Sequence, residues 1–68
     1  MVFCGKNARG KFWINVAQVV SFSDLKKVDN EHSGFTINLS SGHHESYFGT
    51  HEEAAKDHAE LISILQDI

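Results

Sequence analysis

The hydrophobic pattern is sharpest over residues 34–42, where apolar and polar positions alternate one by one. The apolar positions are Phe35, Ile37 and Leu39, and the polar positions are Thr36, Asn38 and Ser40. Successive side chains of a strand point to opposite faces, so this alternation predicts an antiparallel strand with one buried face and one face open to solvent or a partner. Ser41 and Gly42 predict a tight hairpin turn, and residues 43–48 predict the returning strand.

The C-terminal part of the chain has the pattern of an amphipathic helix. Thr50 and Glu53 have the spacing of a capping box, in which each side chain accepts a hydrogen bond from the backbone amide of the other residue. Apolar residues and one histidine then recur at three- and four-residue intervals: Ala54, Ala55, His58, Leu61, Ile62 and Leu65. We therefore predict a helix over about residues 51–66 that packs through this stripe on a sheet.

The N-terminal half is rich in β-branched and aromatic residues, which favour strands. The predicted strands cover residues 2–4, 12–16 and 19–28, with loops at residues 5–10 and 29–34. The last of these strands is expected to bend near Ser23, and Trp13 should face away from Phe12, Ile14 and Val16. The whole chain, residues 1–68, is thus predicted to be one α+β domain. Its antiparallel sheet, of about four or five strands within residues 2–48, packs against one C-terminal α-helix.

Composition narrows the class of protein. A chain of 68 residues buries only about 60% of its unfolded surface, and its single cysteine, Cys4, cannot form an internal disulfide, so self-association is expected to add stability. No apolar run is long enough to span a membrane. Residues 1–6 lack the apolar stretch of a signal peptide, which favours a cytoplasmic protein. No cofactor motif and no catalytic signature such as a nucleophile elbow is present, so we predict a protein that is not an enzyme.

The leading functional hypothesis is a small regulatory or accessory protein that binds a larger protein. Its binding face would be the sheet surface opposite the helix, because a half-buried strand leaves one face free. The residues predicted for this face are Trp13, Thr36, Asn38 and Tyr47. An exposed aromatic side chain on a polar sheet face is a common anchor for protein contacts.

Two alternatives come from the charged residues and the histidines. Residues 1–30 carry five bases and two acids (+3), whereas residues 31–68 carry one base and seven acids (−6). Nucleic-acid binding would use the basic residues Lys6, Arg9, Lys11, Lys26 and Lys27, although these few charges on an acidic protein offer a small footprint. A metal- or pH-responsive module would use some of the five histidines, with His44 and His51 as the candidate metal pair across strand and helix.

Three sequence segments carry a resemblance to a known family. They are Asn-Ala-Arg-Gly-Lys-Phe at residues 7–12, Asn-Val-Ala-Gln-Val-Val at residues 15–20, and Phe-Thr-Ile-Asn-Leu-Ser-Ser-Gly at residues 35–42. With the strand and the Glu-Glu helix start that follow, the chain resembles the small FlbD/SwrD-type proteins associated with bacterial flagellar operons. A small phage-encoded accessory protein would fit the same pattern equally well. The resemblance implies a non-enzymatic regulatory or accessory role, and it assigns no functional residue.

Overall fold

Six strands and one helix make up the described part of the chain, residues 1–66 of a computed structural model. The strands are β1 (Val2–Asn7), β2 (Gly10–Asn15), β3 (Val19–Phe22), β4 (Lys26–Lys27), β5 (His32–Leu39) and β6 (His44–Thr50); a short 3₁₀ turn (Val16–Gln18) precedes β3, and helix α1 (His51–Gln66) follows β6. The predicted α+β class, with antiparallel pairing and one C-terminal helix, is confirmed. The strands divide, however, into a two-stranded hairpin (β1–β2) and a four-stranded sheet.

Strand β5 is the centre of the four-stranded sheet. Gly34 pairs with Lys26 on one side and with Phe48 on the other, while β3 pairs with the C-terminal half of β5. Strands β3 and β4 therefore lie end to end along one edge of β5, and β6 lies along the opposite edge. The single strand predicted over residues 19–28 is thus interrupted between these two pieces.

Ser23 keeps the hydrogen-bond ladder continuous across this interruption. Its backbone N–H donates to the Thr36 carbonyl (2.9 Å), and its Oγ accepts from the Thr36 N–H (2.9 Å). The side chain thus replaces a missing strand carbonyl, and the backbone amide of β5 does not stay unpaired. The bend predicted near Ser23 and Asp24 is therefore stabilised by the serine hydroxyl.

One hydrophobic core joins the hairpin, the sheet and the helix. Its buried residues are Phe3, Ile14, Val16, Phe35, Ile37, Tyr47, Ala54 and Leu61. The predicted inward positions of Phe35 and Ile37 are confirmed. On the helix the predicted stripe is wrong at Ala55, which is exposed, and Ile64 packs against the core instead.

The β5–β6 connection sets the face to which each residue of β6 points. A tight turn made of Ser41 and Gly42 alone would place Tyr47 opposite Thr36, on the open face. In the structure Leu39 donates its N–H to the His43 carbonyl (2.9 Å), and Gly42, with φ of +91°, ends a three-residue connection. This one-residue difference in register pairs Tyr47 with Phe35 and turns Tyr47 towards the core.

The helix begins as the capping box predicts. Thr50 Oγ1 accepts from the Glu53 N–H (3.2 Å), and Glu53 Oε1 accepts from the Thr50 N–H (3.1 Å). These bonds satisfy amides that have no partner within the helix. Among residues 1–66, no helix has the length and apolar character needed to cross a bilayer.

Replacing Leu61 with alanine is expected to lower the free energy of unfolding by about 2–5 kcal/mol, because the side chain is fully buried and its removal leaves a cavity. Urea denaturation followed by circular dichroism measures this loss. The matched control is Glu60→Ala on the exposed side of the same helix turn, for which we expect a change within about 0.5 kcal/mol. Equal effects of the two substitutions would contradict the assigned core.

Candidate protein-binding surface

The face of the four-stranded sheet that points away from the core, here called the outer face, is covered by neither the helix nor the hairpin. The side chains on it include Lys26, Val28, Thr36, Asn38, Ser46 and Phe48. Thr36 lies directly opposite Ser46, and Gly34 lies opposite Phe48. Val28 is 57% exposed. The outer face therefore combines apolar side chains with hydroxyls and one ammonium group.

An open groove of about 350 Å³ runs over the outer face. Its lining includes the side chains of Val28, Thr36, Ser46 and Phe48, with Lys26 beside them. Gly34 lies on its floor, and a side chain there would collide with the Tyr47 carbonyl oxygen. Glycine is thus required at this position of β5, and it leaves the groove unfilled.

Phe48, the aromatic wall of the groove, is held in place by its neighbour His32. The Phe48 ring stacks on the His32 imidazole at 4.6 Å between centroids and 18° between planes. His32 Nδ1 in turn donates to the Asp29 carboxylate (2.9 Å). That carboxylate also accepts the backbone N–H groups of Glu31 and His32, and these bonds hold the Asp29 pKa below its usual range. The groove is therefore formed before any ligand arrives, which lowers the entropic cost of binding.

The structure changes the set of residues predicted for the binding face. Thr36 and Asn38 lie on the outer face, half-buried and exposed respectively. Tyr47 does not: the prediction is wrong, because the register of β6 puts Tyr47 inside and its neighbours Ser46 and Phe48 outside. The sequence pattern could not distinguish the two registers, since residues 47 and 48 are both aromatic.

Tyr47 instead fastens the helix to the sheet. Its ring, only 2% exposed, stacks on Phe35 with 4.9 Å between centroids. Its single hydroxyl hydrogen is shared between two acceptors on the helix, the Asp57 carboxylate and the Glu53 carbonyl oxygen (3.2 Å). Burial, together with the neighbouring Asp57 charge, raises the pKa of the phenol above its ordinary value. Tyr47 therefore has a structural role.

Trp13 is exposed, as predicted, but it belongs to another surface. It lies directly opposite Cys4 on the solvent side of the β1–β2 hairpin, and 65% of it is accessible. Val2 is a diagonal neighbour on the same side and is also exposed. We call Val2, Cys4 and Trp13 the hairpin surface. It is a second apolar surface, separate from the outer face.

The basic residues proposed for nucleic-acid binding do not form one patch. Lys6 is engaged in an ion pair with Glu53 (Nζ–Oε2, 2.5 Å), which ties the hairpin to the start of the helix. Arg9 and Lys11 stay with the hairpin, and β1 packs beside β6. Lys26 and Lys27 lie on β4, beyond β5, and as neighbours in a strand they point to opposite faces. The charges are thus spread around the molecule.

The histidines proposed for metal binding are also separated. His44 begins β6 and His51 follows its end, so the two lie about 20 Å apart along the strand direction. Within residues 1–66, no group of three His, Cys, Asp or Glu side chains comes together in a way that could hold a metal ion. The predicted metal pair of His44 and His51 is therefore wrong, because the two side chains are too far apart to bind one metal ion.

Two histidines are used to fasten elements together. His51 Nε2 donates to the Asn30 carbonyl (2.9 Å), which can only accept, so its Nδ1 accepts from the Ser33 hydroxyl (2.5 Å). This resembles a Ser–His nucleophile pair, but Ser33 is only 5% exposed and a substrate cannot reach it. His58 packs edge-on against Phe22 and Phe35. Both rings join the helix to the sheet.

Comparison with known proteins assigns no function to this chain, so the outer face is the main guide to its function. No protein-family model, curated protein or solved structure matches this chain. The resemblance to the FlbD/SwrD-type proteins therefore stays a prediction.

The ion pair between Lys6 and Glu53 should make stability depend on acid pH. The Lys6 ammonium, followed by hydrogen bonds from Thr50, lowers the Glu53 pKa from 4.5 to about 2. A lowered carboxyl pKa stabilises the fold above the unfolded value, and this contribution disappears as the pH falls from about 4.5 to about 2. Urea denaturation at neutral pH and at several values down to about pH 2 should show that Glu53→Gln is less stable than the parent at neutral pH and that the difference shrinks in acid.

Lys6→Met provides the matched variant, because it keeps the aliphatic stem and the capping box but removes the charge. Its acid-induced loss of stability should begin at higher pH than that of the parent chain, since the Glu53 pKa returns towards its usual value. A stability difference between Glu53→Gln and the parent that stays constant with pH would contradict the pairing.

Tyr47→Phe is expected to lower the free energy of unfolding by about 1–3 kcal/mol, because the helix loses a buried hydroxyl donor shared between the Asp57 carboxylate and the Glu53 carbonyl. The control is Ser46→Ala, which removes a hydroxyl from the outer face of the same strand and should change stability little. Urea denaturation of both variants measures the difference. A larger loss for Ser46→Ala would indicate the other register of β6.

Proposed function

We propose that this chain is a non-enzymatic regulatory or accessory protein that acts by binding a larger protein through its outer face. The observation that carries the proposal is the preformed groove, whose apolar lining includes exposed Val28 and half-buried Phe48 on a sheet surface that nothing else in residues 1–66 covers. Folding alone gives no reason to expose Val28, because an apolar side chain left in water forfeits its burial energy. A partner that covers it recovers that energy.

The arrangement of the outer face suits a protein contact. The apolar side chains of Val28 and Phe48 lie on either side of β5, with hydroxyls, an amide and a lysine close to them, and protein interfaces combine apolar and polar groups in this way. The sheet beneath is held rigidly by the Tyr47 and His51 contacts, so little order has to be created on binding. The free thiol of Cys4 fits a reducing compartment, and we propose a cytoplasmic location.

Affinity capture with the full chain tests the proposal. Bait protein is immobilised in lysate of the native host, with and without nuclease, and captured proteins are identified by mass spectrometry. We expect one protein to be retained in stoichiometric amount after nuclease treatment, and to be lost with Val28→Asp, because a buried unpaired carboxylate is costly. Val20→Asp is the matched control: Val20 is exposed on β3, outside the groove, and its substitution should leave capture intact.

Three results would contradict the proposal. Capture that is equal for Val28→Asp and the parent would place the interface elsewhere. Loss with Trp13→Ala but not with Val28→Asp would assign binding, including binding of a second copy, to the hairpin surface. Capture that disappears with nuclease would favour the nucleic-acid alternative. Circular dichroism melts of each variant verify that the fold is retained.

A further inference from the structure

The chemistry of the groove on the outer face restricts what the partner can present to it. Among residues 1–66, Lys26 is the one charged side chain that lines the groove, and no carboxylate of these residues does so. Two carboxylates outside the lining are engaged elsewhere, Asp29 with His32 and Glu53 with Lys6. Although the whole chain has a net charge of −3, the groove is therefore locally basic. Charge complementarity calls for an acidic group from the partner.

The apolar part of the groove lies at a fixed distance from this lysine. Lys26 and Val28 are two residues apart and line the same groove, so they are separated by about 6.6 Å along the chain. Phe48 lies across Gly34 from Lys26 and forms, with Val28, the apolar part of the groove lining, while Thr36 and Ser46 are the next outward-facing pair along the two strands. An extended segment also places alternate side chains on one side at this same spacing. Its residues i and i+2 can therefore meet Lys26 and the Val28–Phe48 wall together.

We infer that the groove receives an extended segment of the partner in which an acidic residue and an apolar residue stand two positions apart. The acidic side chain pairs with the Lys26 ammonium, and the apolar side chain fills the space between Val28 and Phe48. This inference rests on the proposed function and specifies the recognition made at the same surface. A groove of about 350 Å³ has room for one or two side chains of such a segment.

A phage-displayed library of random peptides, each about ten residues long, tests the chemistry directly against the immobilised full chain. We expect the selected peptides to share an acidic residue two positions from a Leu, Ile, Val or Phe, in either chain direction. A selected peptide is then synthesised with a fluorescent label, and its binding is measured by anisotropy. Nuclear magnetic resonance shifts should map it to the amides of residues 26–28, 34–36 and 46–48.

Exchanging the charges of Lys26 and of the acidic peptide residue distinguishes specific recognition from nonspecific binding. Lys26→Glu should weaken binding of the selected peptide by at least about tenfold, and replacing the acidic residue of the peptide with lysine should restore binding to this variant. Lys11→Glu is the matched control, since Lys11 is an exposed lysine on the hairpin, away from the groove, and it should change binding little. Binding should also weaken with added salt, because the ion pair is partly exposed.

Several outcomes would overturn the inference. The selection could yield no binder, or it could enrich peptides that lack an acidic residue. Binding of a selected peptide that Lys26→Glu leaves unchanged would also overturn the inference. Tighter binding of a labelled single-stranded oligonucleotide than of any selected peptide, lost with Lys26→Glu, would show that phosphate is the ligand instead. If affinity capture depends on Val28 while the library gives no acidic motif, the proposed function stands and only this inference fails.

Discussion

The pairing register between β5 and β6 decides which residues the protein keeps inside and which it offers to a partner. With Tyr47 opposite Phe35, two aromatic rings stack beneath the helix, and the Tyr47 hydroxyl reaches the helix backbone and Asp57. The same register places Ser46 and Phe48 outside, opposite Thr36 and Gly34. Core and candidate site are thus two consequences of one three-residue connection, because a shift by one residue exchanges the faces of a whole strand.

Polar contacts between distant residues complete a core that is small for independent folding. Glu53 serves two purposes, since one carboxylate oxygen completes the capping box and the other holds Lys6 of the hairpin. His51 joins the same end of the helix to Asn30 and Ser33. An exposed ion pair adds little by itself. Here the pair connects the hairpin, which shares no backbone ladder with the four-stranded sheet, to the helix that packs on that sheet.

Local patterns predicted the local structure well. The capping box at Thr50, the alternation through Phe35 and Ile37 and the class of the fold follow from residues close together in the chain. The errors concern choices that such patterns leave open. Residues 47 and 48 are both aromatic, so only the turn geometry decides which is buried, and Lys6 meets Glu53 across 47 positions of sequence. Half of the predicted binding set, Thr36 and Asn38, lies on the outer face. Ser46 and Phe48 also lie there, but the sequence did not predict them because their exposure depends on the register of β6.

The separation of the two faces of β5 and β6 also separates stability from recognition. The buried ring of Tyr47 and the buried side chain of Leu61 carry the energy of folding, whereas Val28 and Lys26 remain in water and contribute little to it. Substitutions on the outer face are therefore free to alter recognition without unfolding the chain. The exception is Gly34, where the outer face meets the backbone of β6 and no side chain fits. At that one position the shape of the groove and the stability of the sheet depend on the same residue.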